Sequence, residues 1–181
     1  MSRWINARLG QLEEYVPGEQ PQDMQYIKLN TNEFPYPPAP AVAERLDKAE
    51  INALRLYSDP TCRVLREKLA TRYDVSPDEV FVGNGSDEVL NFAFWAYGTD
   101  GVRFADITYG FYPVFADLHD LPVSIMPLRE DFSIDINDYL NCRQMTVIAN
   151  PNAPTGLALS LDEMEAVVRS NPDHVVVIDE A

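Results

Sequence analysis

Four short segments of this 181-residue chain combine residue types that could do chemistry. The first is Gly83-Asn84-Gly85-Ser86-Asp87-Glu88, between an apolar triplet and a helical pattern. Strand, glycine turn and helix start make an anion site, because free backbone N–H groups and the helix dipole face the ligand. The same residues also read as a tight turn with Ser86 as helix cap and two acids complementing the dipole. They make a poor dinucleotide fingerprint: Glu88 takes the place of a third glycine, although Asp106 lies near the distance of a ribose-binding acid. The second segment, Thr108-Tyr109-Gly110-Phe111-Tyr112-Pro113, puts aromatic rings after a strand, where they could stack on a flat ligand or pack a core. The third, Asn150-Pro151-Asn152-Ala153-Pro154-Thr155-Gly156, holds a loop at the carboxyl edge of a sheet, where α/β proteins bind ligands; turn chemistry alone would also explain it. The fourth is Asp179, at the end of an apolar strand expected to be buried. A carboxylate there needs a partner. A ligand with a protonated ring nitrogen would provide one, as would a structural pairing or a helix cap.

An alternation of strands and helices has to position these segments. Short apolar runs at 80–82, 102–107, 123–128, 146–149 and 175–178 read as strands. Residues 39–54 read as a helix with Val42, Leu46 and Ala49 at helical spacing, and 61–73 as a second with a stripe of Cys62, Leu65, Leu69 and Tyr73. Ser76-Pro77-Asp78-Glu79 carries a capping box. Residues 86–97 form a helix apolar nearly all round, which predicts burial. Residues 160–170 form another, opened by Ser160 and Glu163, with a stripe of Leu161, Met164, Val167 and Val168. Continuously apolar strands separated by helices predict an α/β fold with a parallel sheet covered on both faces. Residues 1–40 read as an extended arm, with Pro17, Gly18 and Pro21 followed by the proline-rich run Phe34 to Pro40. Such a run is commonly a linker or tail, but Tyr15, Tyr26, Phe34 and Tyr36 give this one apolar surface with which to dock. Residues 41–181 form the α/β part.

Composition narrows the partners. The chain is 46% apolar and 24% charged, the balance of a soluble globular domain rather than a disordered one. Its 29 acidic residues against 14 basic ones give a net charge of −15, which argues against nucleic acid and anionic membranes. No run approaches the roughly 20 apolar residues of a bilayer span. The longest, 89–97, is short and interrupted by Asn91, and the first residues hold no apolar signal region. Cys62 and Cys142 fit neither a metal spacing nor a disulfide framework, so a reducing cytoplasm is the simplest setting. His119 and His174 fall outside every motif and read as surface or internally satisfied side chains.

Taken in order, the segments resemble the histidinol-phosphate aminotransferase group of fold-type I pyridoxal-phosphate enzymes. The resemblance runs through YVPGEQP (Tyr15 to Pro21), KLNTNEFPYPPAP (Lys28 to Pro40), LYSDPTCRVLREKLA (Leu56 to Ala70), VGNGSDEVL (Val82 to Leu90), TYGFY, NPNAPTG and VVVIDEA. It implies pyridoxal 5'-phosphate as cofactor. Gly85, Ser86 and Asp87 would hold its phosphate, Tyr109 would stack on its ring, and Asp179 would pair with the ring nitrogen. Tyr57 would reach the phosphate of a neighbouring subunit's cofactor in a homodimer. Tyr15 and Asn32 would approach the substrate side. The asparagine that the family places directly before Pro-Thr-Gly is here Ala153, which leaves Asn152 as the nearest group for the ring oxygen.

The implied reaction converts histidinol phosphate and 2-oxoglutarate to imidazole acetol phosphate and glutamate, in histidine biosynthesis. Phosphothreonine decarboxylation and another amino-acid transamination on the same fold are alternatives, as is a truncated, non-catalytic product. Family chains are roughly twice as long. The tyrosine after Asp-Glu-Ala, the Schiff-base lysine, a phosphate-anchoring basic residue and a smaller C-terminal domain all come later in them. The lysines here are Lys28, Lys48 and Lys68, all before the phosphate turn. The resemblance therefore implies an incomplete sheet with exposed edges and no transamination by these 181 residues alone.

Overall fold

A computed structural model describes residues 19, 21, 23, 24, 26, 27, 29, 33, 35–45 and 48–181, with side chains 48–50 excepted. Tyr15 and Asn32 lie outside the described residues. The described residues divide into two compact units, one ending at Val80 and the other Phe81–Ala181.

In the first unit, α1 spans Pro40–Arg45 and α2 Lys48–Ala53, where one helix over 39–54 was expected; Leu46 lies outside the described residues. The longer α3, Arg63–Tyr73, begins two residues later than the expected 61. Asp59 sets that start. Its carboxylate accepts from the Thr61 N–H and hydroxyl and from the Arg63 N–H, which satisfies donors a helix start leaves open. These bonds hold the Asp59 carboxyl below the usual carboxylate range. A left-handed Asp74 ends the helix. The expected capping box at Ser76 and Glu79 is present, on a 3-10 turn, Pro77–Glu79. Arg66 of α3 donates to the carbonyls of Pro77 and Val80 and fastens that turn to the helix.

The second unit begins with α4, Ser86–Tyr97, and continues as β1 Val102–Ala105, α5 Phe111–His119, β2 Val123–Met126, a 3-10 turn Ile136–Tyr139, β3 Met145–Ala149, α6 Leu161–Ser170 and β4 Val176–Asp179. The four strands form one parallel sheet in the order β2-β1-β3-β4. Alternate residues go to opposite faces. Val102, Phe104, Met145, Val147 and Ala149 meet Leu90 and Phe94 of α4 and Tyr112, Phe115 and Ala116 of α5. On the other face Ile148, Val176 and Ile178 pack with Tyr139 and with Val167 of α6. Both faces are thus covered, as the apolar runs required, and β3 is buried at every residue.

Several expectations change. Residues 80–82 are not a strand: Val80 is extended, but no described segment forms a ladder with it. A strand exists only with a hydrogen-bonded neighbour, which an apolar triplet cannot guarantee. Helix α4 is not largely buried. Leu90 and Phe94 face the sheet, while Trp95 is 68% exposed and Phe92 and Tyr97 are exposed as well. A helix lying on a sheet buries one stripe, whatever the composition of its other sides. In α6 the capping box is present and Val167 is buried, but Leu161 and Val168 of the expected stripe are exposed. β4 is a half-buried edge strand, not a fully buried one.

Candidate functional site

The sheet order reverses between β1 and β3. The β1–α5–β2 unit runs to one side and β3–α6–β4 to the other, and ligands of open α/β sheets bind at the carboxyl ends of strands at such a point. The loops that follow β1 and β3 hold two of the four segments, and Asp179 is the last residue of β4. The fourth is the glycine turn, which opens α4 on the helical layer packed against β1 and β3.

In that turn Gly85 has φ +84°, a conformation that disfavours any side chain. Gly85, rather than Ser86, is the N-cap, and no side chain caps the helix start. Ser86 occupies the first helical position. Glu88 folds back so that its carboxylate accepts from the Asn84 N–H at 2.6 Å, which closes the turn. Asp87 points elsewhere, and its carboxylate accepts from the Tyr109 hydroxyl at 2.8 Å.

Tyr109 and Tyr112 flank the start of α5, with rings edge to face at 5.6 Å. Tyr112 is fully buried between Phe94 and Phe104. Its hydroxyl donates to Asp179 Oδ2 at 2.7 Å. Burial first, and then this bond, push the phenol far above its ordinary ionisation range, so it stays a donor. Asp179 ends β4 in register with Ala149, and its carbonyl accepts from the Asn150 N–H. Its Oδ1 accepts from the Ala181 N–H at 3.1 Å. The row Asp87, Tyr109, Tyr112, Asp179 therefore joins the start of α4 to the end of β4.

The loop after β3 is built around Asn152, which is 2% exposed. Its Oδ1 accepts from the Thr108 hydroxyl at 2.8 Å, and its Nδ2 donates to the Ile107 carbonyl at 2.9 Å and to Thr155 Oγ1 at 3.3 Å. These bonds tie the β3 loop to the β1 loop across the switch point. Asn150 fixes the far end by accepting from the Leu159 N–H at 2.7 Å.

Gly85, Ser86, Asp87, Tyr109, Asn152 and Asp179 thus fall in one unit along one edge of its sheet. Tyr57 belongs to the other unit, fully exposed two residues before the Asp59 turn. His119 is satisfied by Asn91 at 2.8 Å and stacks on Trp95. Sequence reasoning gave no role to Tyr112 or Thr108. The available signal was a hydroxyl on a ring at a core position, since a buried phenol needs a polar partner.

Comparison with known proteins identifies the family of the chain. The family model for aminotransferase class I and II matches residues 24–181. The chain belongs to that family. Its enzymes are transaminases that use pyridoxal phosphate. The histidinol-phosphate aminotransferase of Clostridium acetobutylicum is 50% identical over 183 residues, covering 100% of this chain and 52% of that protein. That of Brachyspira hyodysenteriae is 47% identical over the same coverage. The chain thus spans about half the length of the curated relatives it matches. A crystal structure of histidinol-phosphate aminotransferase from Sinorhizobium meliloti in complex with pyridoxal-5'-phosphate superposes with a TM-score of 0.69 at 24% identity, over 80% of this chain and 41% of that one. The α/β class and parallel sheet expected from sequence match part of such aminotransferase folds. Among the described residues, no helix is long and apolar enough to cross a membrane.

Proposed function

We propose that these 181 residues are the part of a histidinol-phosphate aminotransferase that carries most contacts to pyridoxal 5'-phosphate. The observation behind the proposal is the row from Asp87 to Asp179, in a chain 50% identical to such an enzyme along its whole length. The residues fit the cofactor. The start of α4 has no side-chain cap, so backbone donors at Gly85, Ser86 and Asp87, with the Ser86 hydroxyl, suit a phosphate. Tyr109 offers a ring for stacking. Asp179 is a half-buried carboxylate suited to a protonated ring nitrogen. When bound, the cofactor supplies an electron sink for the substrate's α-carbon.

The chain's own residues bind and orient. With the cofactor bound, Asp179 would pair with the protonated ring nitrogen, and Tyr109 would offer its ring for stacking. Asn152 holds the two switch-point loops together; to reach a ring oxygen it would exchange its 3.3 Å bond to Thr155. On this reading Tyr57 would serve the phosphate of a second subunit, and Tyr15 and Asn32 of the arm, residues 1–40, would act on the substrate side. Substrates are small amino-phosphate or amino-acid molecules, and the working assembly is a cytoplasmic homodimer. We assign the amine that exchanges with the substrate to none of Lys28, Lys48 and Lys68, which all precede the phosphate turn.

The test is to add pyridoxal 5'-phosphate to the purified chain, measure binding by equilibrium dialysis, reduce with borohydride and map any labelled lysine. Saturable binding, no single labelled lysine and no glutamate from histidinol phosphate and 2-oxoglutarate are expected. Stoichiometric labelling of one lysine with turnover would move the catalytic amine into this chain.

A further inference from the structure

We infer that Tyr112 is a positioning residue, whose hydroxyl aims the Asp179 carboxylate at the cofactor's ring nitrogen; this rests on the cofactor reading above. Asp179 alone could rotate about its side-chain torsions, because it stands at the end of an edge strand and is only half-buried. The Tyr112 hydroxyl removes that freedom by holding Oδ2 at 2.7 Å. Tyr112 cannot follow a rotating carboxylate. Its ring is fully buried, with Phe94 stacked at 6.1 Å, Phe104 at 5.7 Å and Tyr109 edge-on at 5.6 Å. The Ala181 N–H takes Oδ1 at 3.1 Å, so two bonds fix the plane of the carboxylate. Among the described residues each oxygen accepts one donor, from Tyr112 or from Ala181, and keeps a lone pair for a further one. Burial holds the phenol in its protonated form, so it donates at every working pH. Tyr109, in the loop before the Gly110 cap, and Tyr112, in the first turn of α5, are three residues apart, so the stacking ring and the orienting hydroxyl are set by one short segment. A phenylalanine at 112 would pack as well; the hydroxyl is explained by its acceptor.

A purely structural hydroxyl would support folding without distinguishing ligands. The test exploits that difference. The chain, its Tyr112→Phe, Asp179→Asn and double variants are titrated with pyridoxal 5'-phosphate and with its 1-deaza analogue, in which C–H replaces the ring nitrogen. The native chain should bind the cofactor more tightly than the analogue. Tyr112→Phe should weaken the cofactor roughly tenfold, as for one hydrogen bond to a charged group, and leave the analogue unchanged. Within the Asp179→Asn background it should add nothing. Equal loss for both ligands, or no loss, would overturn the inference while leaving the site reading intact. No effect of Asp179→Asn, or no binding by the native chain, would overturn both. Should Tyr112→Phe not fold, the native chain labelled with 13C-tyrosine decides. The Tyr112 Cζ resonance should move further with the cofactor than with the analogue, and equal movement would overturn the inference.

Discussion

The Tyr109 hydroxyl donates to Asp87 Oδ1 across 2.8 Å, which ties the loop after β1 to the first turn of α4. The bond is exposed, so water can replace much of it. Tyr109→Phe should therefore lower the unfolding free energy by no more than about 1 kcal/mol in a denaturant titration. Tyr109→Ala should also weaken cofactor binding, roughly fivefold, because the stacking surface itself is lost.

Asn152 should behave as a brace. Asn152→Asp puts a carboxylate oxygen where the amide nitrogen now donates to the Ile107 carbonyl, so two acceptors face each other in a buried position. A destabilisation of about 2–4 kcal/mol is expected from unsatisfied buried polar groups and uncompensated charge. Asn152→Ala should cost less, about 1–3 kcal/mol, because it removes partners without adding a charge. Denaturant midpoints of the two variants should fall in that order.

Phe94 is the centre of the core on the α4 and α5 face. It is completely buried and meets Tyr112 at 6.1 Å and Phe115 at 5.5 Å. Phe94→Ala should cost about 3–5 kcal/mol. Trp95→Ala, one residue along the same helix but 68% exposed, should cost far less in the same melt.

The α6 capping box gives a pH-dependent prediction. The Ser160 hydroxyl and then its N–H hold the Glu163 carboxyl below the usual carboxylate range. A depressed native value stabilises the fold above the unfolded carboxyl range, and that contribution disappears as pH falls through the native value. Ser160→Ala should lower the melting temperature by a few degrees at neutral pH. The difference from the native chain should shrink below about pH 4.

Much of this was legible in residue types. Both capping boxes were visible as Ser-x-x-Glu, because a cap is a local arrangement that four residues determine. The parallel sheet was visible in the runs that became β1 to β4. Partners at long range were not. Val80 to Val82 has strand composition but no described neighbour, and the apolar surround of α4 could not show which stripe would meet the sheet. At the site, Asp179 stood out because a carboxylate after an apolar strand needs a reason. Tyr112 did not, since its acceptor lies 67 residues away and only the fold brings them together. Tyr57 illustrates another limit: it stands fully exposed two residues before the Asp59 turn, and the role inferred for it depends on a second chain.

The central claim is that the edge formed by the α4 start, the β1 loop and Asp179 binds pyridoxal 5'-phosphate. Titration of the 15N-labelled chain with the cofactor, followed amide by amide, tests this most directly. Saturable shifts should concentrate at Gly83 to Asp87, at Tyr109 and Gly110, at Asn152 and at Asp179, and Asp179→Asn should weaken the apparent affinity. Absence of saturable shifts, or shifts centred on Asn141 to Arg143 and Asn171 to His174 ahead of β3 and β4, would contradict it.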